Sequence, residues 1–256
     1  MSEISESGIT LPSSAPVVDP ELEAMMKAGV HLGHAKTKDH ASMKEYIFGV
    51  RNTVSVLDLT LTRPALARAE EFLKATGARG GTALLVGTRP AARSAILDAA
   101  GRTRMPYFVE RWIGGTLTNF TVIRKRVEYL ERMEQEKASG EFEKYTKKER
   151  MKKEEEIVRL KKMFDGLRPM TRLPDAVFVV DTTEDTTAVR EARLMRIPLV
   201  ALCDTNADAS LIDYPIPSND DALPAVRYMV GRIGAAIEEG LREKQKNAEN
   251  TPSAVL

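Results

Sequence analysis

Unalternating apolar runs recur along the central part of the chain, and each leads into a segment with helical periodicity. The runs are TALLVG (82–87), AVFVVD (176–181) and PLVALCD (198–204), and an earlier one is VSVLDL (54–59). Strands that are apolar on both sides are needed in a parallel sheet that helices cover on both faces. The pattern therefore predicts a doubly wound α/β domain built from strand–helix–strand units.

Capping residues mark the first two of these helices. One helix is predicted to begin at Thr62–Pro64 and to end at Gly77, because proline suits a first turn and glycine a helix end. The next is predicted to have Thr88 as its N-cap and Pro90 in its first turn, and to close at Gly101. Both helices follow a predicted strand, as a strand–helix–strand unit requires.

Two more helices are predicted in the last third of the chain. One covers about residues 185–196, between the second and third apolar runs. The other is a long closing helix, for which Ser218 and Asp221 form a predicted capping box. Its apolar residues keep helical spacing, at Leu223, Val226, Val230, Ile233, Ile237 and Leu241.

From Phe120 the pattern changes to narrow apolar stripes in strongly charged sequence. The first stripe comprises Ile123, Val127, Leu130 and Met133. It fades at Ser139–Gly140, and a capping box of Thr146 and Glu149 then opens a second helix. The second stripe comprises Ile157, Leu160, Phe164 and Leu167. Two helices with one narrow seam each predict an antiparallel, coiled-coil helical hairpin inserted into the α/β domain.

These patterns divide the chain into four parts. Residues 20–117 and 168–243 are predicted to form the α/β domain, and residues 118–167 the inserted hairpin. The first nineteen residues contain serine, proline and three acids but no lysine or arginine, so we expect a disordered leader over 1–19 rather than a secretory or transit signal. The polar segment 244–256 is expected to be a flexible tail.

The charge of the protein is almost balanced overall but uneven locally. The sequence has 38 Lys and Arg against 37 Asp and Glu, with 43% hydrophobic and 29% charged residues. This composition is that of a globular protein, and no global field draws it to nucleic acid or membrane. Residues 124–162, however, hold 14 basic and 10 acidic residues. Such a run is either a solvated helix face or a basic arm that reaches phosphate backbones.

The sequence has one cysteine and no long apolar run. The single cysteine, Cys203, lies within LVALC, which excludes an internal disulfide and predicts a small buried side chain in a reducing compartment. No apolar run approaches the ~18 residues that a membrane-spanning helix needs. We therefore expect a cytoplasmic protein without a membrane partner.

Signals for catalysis are weak. The phosphate-loop and dinucleotide-binding glycine motifs and a nucleophile elbow are missing from the sequence, so no cofactor is predicted. VGTRPAARSA (86–95) could present Arg89 and Arg93 to an anion, although a simple strand–helix turn explains it better. Acidic and amide side chains follow two strands, where α/β enzymes bind ligands: Asp181, Asp185, Asp204 and Asn206. A small-molecule or nucleotide-binding enzyme that uses these loops remains the alternative function.

The three histidines cluster in HLGHAKTKDH as His31, His34 and His40. Their spacing matches no common zinc motif, and no metal is predicted. With Lys36 and its neighbours they are expected to line a polar contact surface.

Seven segments resemble, in order, the signature segments of bacterial-type small-subunit ribosomal protein two. They span about residues 20–242 and surround the predicted hairpin: AGVHLGH (28–34), MKEYIFGVRN (43–52), VGTRPAA (86–92), RWIGGTLTNF (111–120), LPDAVFVVDTTED (173–185), RIPLVALCDTNAD (196–208) and YPIPSNDDA (214–222). Because several independent segments occur in the right order, the resemblance is specific.

This resemblance implies a flavodoxin-like parallel sheet with a protruding coiled-coil hairpin and no enzymatic activity. It implies a structural constituent of the small ribosomal subunit that supports translation. The expected partners are small-subunit ribosomal RNA, contacted peripherally, and neighbouring ribosomal proteins including ribosomal protein one, but not DNA. The expected RNA-binding residues are His31, His34, Lys36, Arg51, Arg111, Asn119, Arg124, Lys125, Lys147, Lys148, Lys152 and Lys153.

RWIGGTLTNF lies where the strand pattern gives way to the helical stripes. Gly114–Gly115 are expected to supply permissive backbone angles at the junction between domain and hairpin. Trp112 is expected to pack this junction while Arg111 faces outward, and Thr118 or Asn119 to cap the first hairpin helix.

Overall fold

A computed structural model describes residues 19–249 of the protein. The predicted leader, 1–19, lies outside these residues except for Asp19, and so does the tail beyond residue 249. The helices are α1 (Pro20–Ala28), α2 (Leu59–Ala78), α3 (Pro90–Thr103), α4 (Phe120–Ala138), α5 (Lys147–Phe164), α6 (Thr186–Leu194) and α7 (Leu223–Glu249). The strands are β1 (Leu32–Ala35), β2 (Ile47–Arg51), β3 (Val54–Leu57), β4 (Ala83–Val86), β5 (Tyr107–Phe108), β6 (Ala176–Val179), β7 (Leu199–Cys203) and β8 (Tyr214–Pro217).

Five parallel strands form the central sheet, in the order β5-β4-β6-β7-β8. Numbered within this sheet along the chain, the order is 2-1-3-4-5, which is the order of flavodoxin-like folds. The predicted α/β class is therefore confirmed. The two-residue strand β5 and the proline-containing strand β8 were not predicted, because neither forms a continuous apolar run.

The sheet is covered on both faces, as its unalternating strands predict. One core cluster joins residues such as Leu85, Phe178 and Leu202 to helices α2, α3 and α7. The other joins the opposite face of the same strands to α6, α4 and α5. Cys203 is fully buried on β7, where burial raises the pKa of its thiol, so the prediction of an inert apolar side chain is confirmed.

A second, antiparallel sheet precedes the parallel one, with the order β1-β3-β2. Its hairpin turn is formed by Asn52 and Thr53, and both residues have positive φ, at 49° and 68°. Two consecutive left-handed residues are typical of the tight turns that match the twist of a hairpin. In the sequence only β3 of this sheet was predicted.

The predicted starts of two helices are wrong by one to five residues. Helix α2 begins at Leu59, before the predicted Thr62–Pro64, because the Asp58 carboxylate accepts a hydrogen bond from the Thr60 amide at 2.8 Å and caps the helix. Thr88 does not cap α3. Its hydroxyl lies 3.1 Å from Asp185 Oδ1, and Arg89 takes the N-cap position without a side-chain bond.

The end of α3 and the start of α7 also differ from the predictions. Helix α3 passes Gly101 and ends at Thr103, where Arg104 adopts a left-handed conformation. At α7 the predicted capping box of Ser218 and Asp221 is wrong. Asn219 Oδ1 instead accepts hydrogen bonds from the amides of Asp221 and Ala222 at 2.9 and 2.8 Å. The helix continues to Glu249, so the first residues of the predicted tail are helical.

Helices α4 and α5 pack against each other through the predicted apolar stripes. All eight stripe residues are buried: Ile123, Val127, Leu130, Met133, Ile157, Leu160, Phe164 and Leu167. The capping box of Thr146 and Glu149 is present at the start of α5. Ion pairs join Lys137 to Glu154 at 2.9 Å and Glu134 to Lys161 at 2.6 Å. Because the later residue of α4 meets the earlier residue of α5, the two helices run antiparallel. We call α4 and α5 the helix pair.

Candidate functional site

Residues 111–119, the junction loop, connect the parallel sheet to the helix pair and close around one buried carboxylate. Glu191 of α6 accepts hydrogen bonds from the Trp112 indole at 3.1 Å and from the Gly115 amide at 2.7 Å. It also accepts from the amides of Leu117 and Thr118 and from the Thr118 hydroxyl, at 2.9, 3.1 and 3.1 Å. A carboxylate that satisfies five donors fixes the loop as a unit.

The other residues of the junction loop lie largely as predicted. Trp112 is buried against Phe108, with ring centroids 5.1 Å apart, whereas Arg111 is exposed. Gly115 has a φ of 89°, which confirms the need for glycine there, but Gly114 is not in the left-handed region. Asn119 occupies the N-cap position of α4 without a side-chain bond, and the Thr118 hydroxyl is bonded to Glu191 instead.

The environment of Glu191 favours its charged form. Burial by itself raises the pKa of this carboxyl, but the hydrogen bonds from the junction loop outweigh burial, so the pKa is lowered. Glu191 was missed in the sequence, because nothing near it in the chain indicates an acceptor for residues more than 70 positions earlier.

Near the sheet, Arg124 of α4 and Arg168, which follows α5, are paired with carboxylates, whereas Lys125 and Arg126 are exposed and have no ion pair among the described residues. Arg124 lies 3.2 Å from Glu128 and 3.5 Å from Glu131, and it also donates to the Arg168 carbonyl at 3.3 Å. Arg168 donates to Glu134 at 2.7 Å. Arg124, which was predicted to bind RNA, is thus held within the protein.

At the end of the helix pair far from the sheet, basic residues outnumber acidic ones. The tip segment, residues 141–153, contains six basic and three acidic residues. Within the part of the chain that the structure describes, no carboxylate pairs with the exposed side chains of Lys144, Lys147, Lys148, Arg150 and Lys152. The tip segment therefore has a higher density of unpaired positive charge than the sheet end of α4, where Lys125 and Arg126 are the exposed bases without an ion pair among the described residues.

Lys153 differs from the other tip lysines. Its ammonium lies 4.3 Å from the centre of the Tyr145 ring and 5.3 Å from that of Phe142, which is buried. Both distances are those of cation–π contacts. Lys153 therefore holds the turn between the two helices, whereas the predicted Lys147, Lys148 and Lys152 are free to meet a partner.

The antiparallel sheet brings two more of the predicted residues together. The Lys36 amide donates to the Thr53 carbonyl at 2.9 Å, so Lys36 lies beside the hairpin turn that follows Arg51. The side chains of Lys36 and Arg51 are exposed, and so is that of Lys125 on α4. These three residues, with Arg111 and Asn119, are the predicted contacts outside the tip segment whose side chains reach the surface.

The predicted histidines are less available. His34 Nδ1 lies 3.1 Å from Asp204 and its Nε2 3.2 Å from Asp221, and its side chain is only 16% exposed. The contact with Asp204 raises the pKa of His34. His31 is half-buried, and burial lowers its pKa. Neither ring presents a free surface.

Four buried carboxylates, which we call the acidic cluster, gather at the carboxyl edge of the parallel sheet: Asp181, Asp185, Asp204 and Asp220. Arg89 forms ion pairs with Asp181 and Asp221. Burial, with repulsion from Asp181, raises the pKa of Asp185 to about 6; burial, with repulsion from Asp181 and Asp204, raises that of Asp220 to about 8. Asp220 has no hydrogen-bond partner among the described residues for either carboxylate oxygen, and it was missed in the sequence.

The raised pKa of Asp220 predicts that stability falls as pH rises. Between the ordinary pKa near 4 and about 8, the folded protein keeps a proton that the unfolded chain has lost. The free energy of unfolding should then decrease by up to about 1.4 kcal/mol per pH unit in that window. Asp220→Asn should reduce this dependence most clearly between pH 6 and 8, above the pKa of Asp185, and raise the melting temperature at pH 8, measured by circular dichroism at several pH values in the presence of a chelator.

Asp98→Asn is the matched control, because Asp98 is exposed and makes only a surface ion pair at 3.5 Å with Arg102. It should leave the pH dependence unchanged. An unaltered slope between pH 6 and 8 in Asp220→Asn would show that Asp220 is ionised in the folded protein at neutral pH.

The described residues contain no group of three or more His, Cys, Asp or Glu side chains arranged to hold a metal ion. Asp181, Asp185 and Asp204, proposed above for the alternative enzyme, are bonded to protein groups: Asp181 accepts from Thr183 and Glu184, Asp185 from Thr88, and Asp204 from the Thr205 amide. None of the helices within residues 19–249 is both long and apolar enough to cross a lipid bilayer.

Comparisons with known proteins match this chain to one family. The sequence model of the family described as "Ribosomal protein S2" matches residues 25–240. The chain is 43% identical over 228 residues to "Small ribosomal subunit protein uS2" of Chloroflexus aurantiacus, which covers 89% of this chain and 96% of that protein. It is 42% identical to the proteins of the same name from Roseiflexus castenholzii (88% and 85% covered) and Dictyoglomus thermophilum (89% and 94%).

Proposed function

The chain belongs to the ribosomal protein S2 family, and on this premise we propose that it is a structural constituent of the small ribosomal subunit, where it contacts ribosomal RNA peripherally and supports translation. The proposal includes a cytoplasmic location and the absence of enzymatic activity. Membership of the family supports the latter, because the named relatives are proteins of the small ribosomal subunit. The relatives named above give no support to the alternative enzyme.

The free basic side chains of the tip segment carry the proposal that this protein binds RNA. Phosphate contacts dominate protein–nucleic acid affinity and require lysine or arginine side chains that are not already paired. Side chains of this kind are most concentrated in the tip segment, at Lys144, Lys147, Lys148, Arg150 and Lys152, because Arg124 and Lys161 nearer the sheet are paired with carboxylates. The helix pair would then act as a rigid, antiparallel coiled-coil arm with a basic end.

The exposed predicted residues near the sheet complete the proposed RNA contact: Lys36, Arg51, Arg111, Asn119 and Lys125. His31, His34, Arg124 and Lys153 are assigned a supporting role, because their side chains are half-buried or engaged within the protein. They would shape the surface without meeting phosphates directly.

Contact with neighbouring ribosomal proteins, including ribosomal protein one, is proposed for the antiparallel sheet. Its side chains Leu32, Phe48 and Val50 are 44%, 79% and 46% exposed. Phe48 and Val50 are two residues apart on β2 and so share one face of this sheet, and exposed apolar side chains suit a protein partner better than a phosphate backbone.

The salt dependence of binding tests this function. Purified protein is titrated into small subunits stripped of the endogenous protein, and the association constant is measured from 50 to 300 mM KCl. Three to five phosphate contacts predict a decrease of roughly 10²- to 10³-fold across this range. Binding that does not change with salt, or its absence, would contradict a role for the basic side chains.

A further inference from the structure

A cavity of about 670 Å³ opens between the carboxyl ends of β6 and β7, on the side of α6. Its volume is within the range of small-molecule sites. Its walls include Val189, Leu194 and Leu211, and its polar residues include Thr182 and Asn206. The carboxyl edge of a parallel sheet is the usual ligand position in α/β folds. The cavity is separate from the proposed RNA-contact residues.

Two residues that line this cavity each have a buried polar atom with no partner among the described residues. Thr182 is only 7% exposed, and its hydroxyl makes no hydrogen bond. The side-chain oxygen of Asn206 is likewise buried and unbonded. The neighbouring Thr183 hydroxyl, by contrast, donates to Asp181 at 2.7 Å. An unpaired buried polar group is costly, so this pair of atoms indicates a ligand that supplies the missing bonds.

The charge around the cavity favours an anion. Arg190 is exposed and has no carboxylate partner among residues 19–249, and Arg193 lies nearby, donating to the Leu211 carbonyl at 2.7 Å. Helix α6 starts at Thr186 beside the cavity, and the Asp185 side chain does not cap it. A helix start attracts negative charge. Among residues 19–249, Asp208 is the one acidic residue that lines the cavity.

We propose that this cavity binds a nucleotide, with the base between the apolar walls and bonded to Thr182 and Asn206, and the phosphate near Arg190 and Arg193. A base has two apolar faces and an edge of donors and acceptors, which matches the walls and the two unpaired atoms. The nucleotide is either free or an unstacked residue of an RNA strand.

An extended peptide fits less well. Peptides that bind beside a sheet add to an open strand edge, where main-chain groups are unpaired. Thr182 and Asn206 instead follow β6 and β7, and both of these strands are internal to the sheet. The cavity therefore has side-chain partners for a ligand but no strand edge.

The test uses the full-length protein, two types of probe and three variants. Isothermal titration is performed with the four nucleoside monophosphates and with a single-stranded RNA hexamer. Thr182→Val should weaken binding about fivefold, the effect of one lost hydrogen bond, and should keep or raise the melting temperature because the removed hydroxyl is unpaired. Arg190→Gln should weaken binding about tenfold. Arg227→Gln, an exposed arginine of α7, is the control and should change neither.

Weakening of monophosphate binding by both site variants supports a free nucleotide as the ligand. The same pattern with the hexamer alone supports a nucleotide within RNA. The proposal is overturned if neither probe binds, if binding ignores Thr182→Val and Arg190→Gln, or if an acidic octapeptide titrated in the same way binds while the two nucleotide probes do not. Charge reversal in the tip segment should leave monophosphate binding unchanged, and Thr182→Val should leave the salt-dependent binding to small subunits unchanged, so the cavity and the proposed RNA-binding arm can fail independently.

Discussion

Replacement of Glu191 by alanine should destabilise the protein by roughly 3 kcal/mol or more, the scale for breaking a buried, hydrogen-bonded charge. The substitution leaves the Trp112 indole and the amides of Gly115, Leu117 and Thr118 without their acceptor. These groups lie on the junction loop, so the lost hydrogen bonds are those that hold the parallel sheet and α4 together. Urea unfolding followed by tryptophan fluorescence measures the change, since Trp112 is the single tryptophan.

Glu191→Gln separates the charge from the shape of the side chain. An amide has one acceptor oxygen, and its NH₂ group would face donors, so glutamine should restore little of the lost stability. The lowered pKa of Glu191 adds a second signature. Its contribution is present above the ordinary pKa near 4.5 and is lost as pH falls through the lower folded-state value, and both variants should lack this acid-range change.

Glu155→Ala is the control for these variants, because Glu155 is exposed on α5 and has no ion pair among the described residues. It should change the free energy of unfolding by less than about 0.5 kcal/mol. If Glu191→Ala behaved like Glu155→Ala, the junction loop would not depend on this carboxylate.

Reversal of three tip charges, by Lys147→Glu, Lys148→Glu and Lys152→Glu, should weaken binding to small subunits at least tenfold near 100 mM salt. Each lost phosphate contact also lowers the slope of log affinity against log salt by about one, and the new acids repel phosphate as well. The fold should be unaffected or slightly more stable, because Lys147 and Lys148 open α5, where negative charge is favourable. Lys153 is left unchanged because it packs on Tyr145.

The matched control reverses three exposed bases on α2 and α7, by Arg68→Glu, Arg227→Glu and Lys246→Glu. It changes the net charge equally but leaves the tip segment intact. Binding measured by co-sedimentation should fall much less than in the tip variant. If both triple variants lost the same binding affinity, binding would depend on net charge rather than on the tip segment. Lower far-ultraviolet ellipticity in the tip variant would show that a folding element had been disturbed.

Features with local causes could be predicted from the sequence. The strands β6 and β7 are continuous apolar runs, and the capping box of Thr146 and Glu149 needs only residues three positions apart. The stripes of the helix pair follow from helical spacing alone. Because each of these patterns lies within a short stretch of chain, together they are sufficient to predict the α/β class and the inserted helices.

Features that depend on distant partners could not be predicted. Ion pairs across the helix pair, such as that of Lys137 with Glu154, decide which lysine side chains remain unpaired. Glu191 left one faint signal, since it lies between Val189 and Ala192 on a helix face that proves to be buried. The acceptor role itself depends on a loop more than 70 residues away. Similarly, the polar neighbours of His34 in the chain predict a surface residue, whereas in the fold its ring lies between carboxylates that follow it by more than 150 positions.

Quantitative mass spectrometry of small subunits purified on sucrose gradients from the source cells tests most directly whether this protein is a constituent of the small ribosomal subunit. At low salt we expect about one copy of the chain per subunit, partly removed by a high-salt wash because phosphate contacts weaken with salt. Recovery of the chain only at the top of the gradient, at both salt concentrations, would contradict this role.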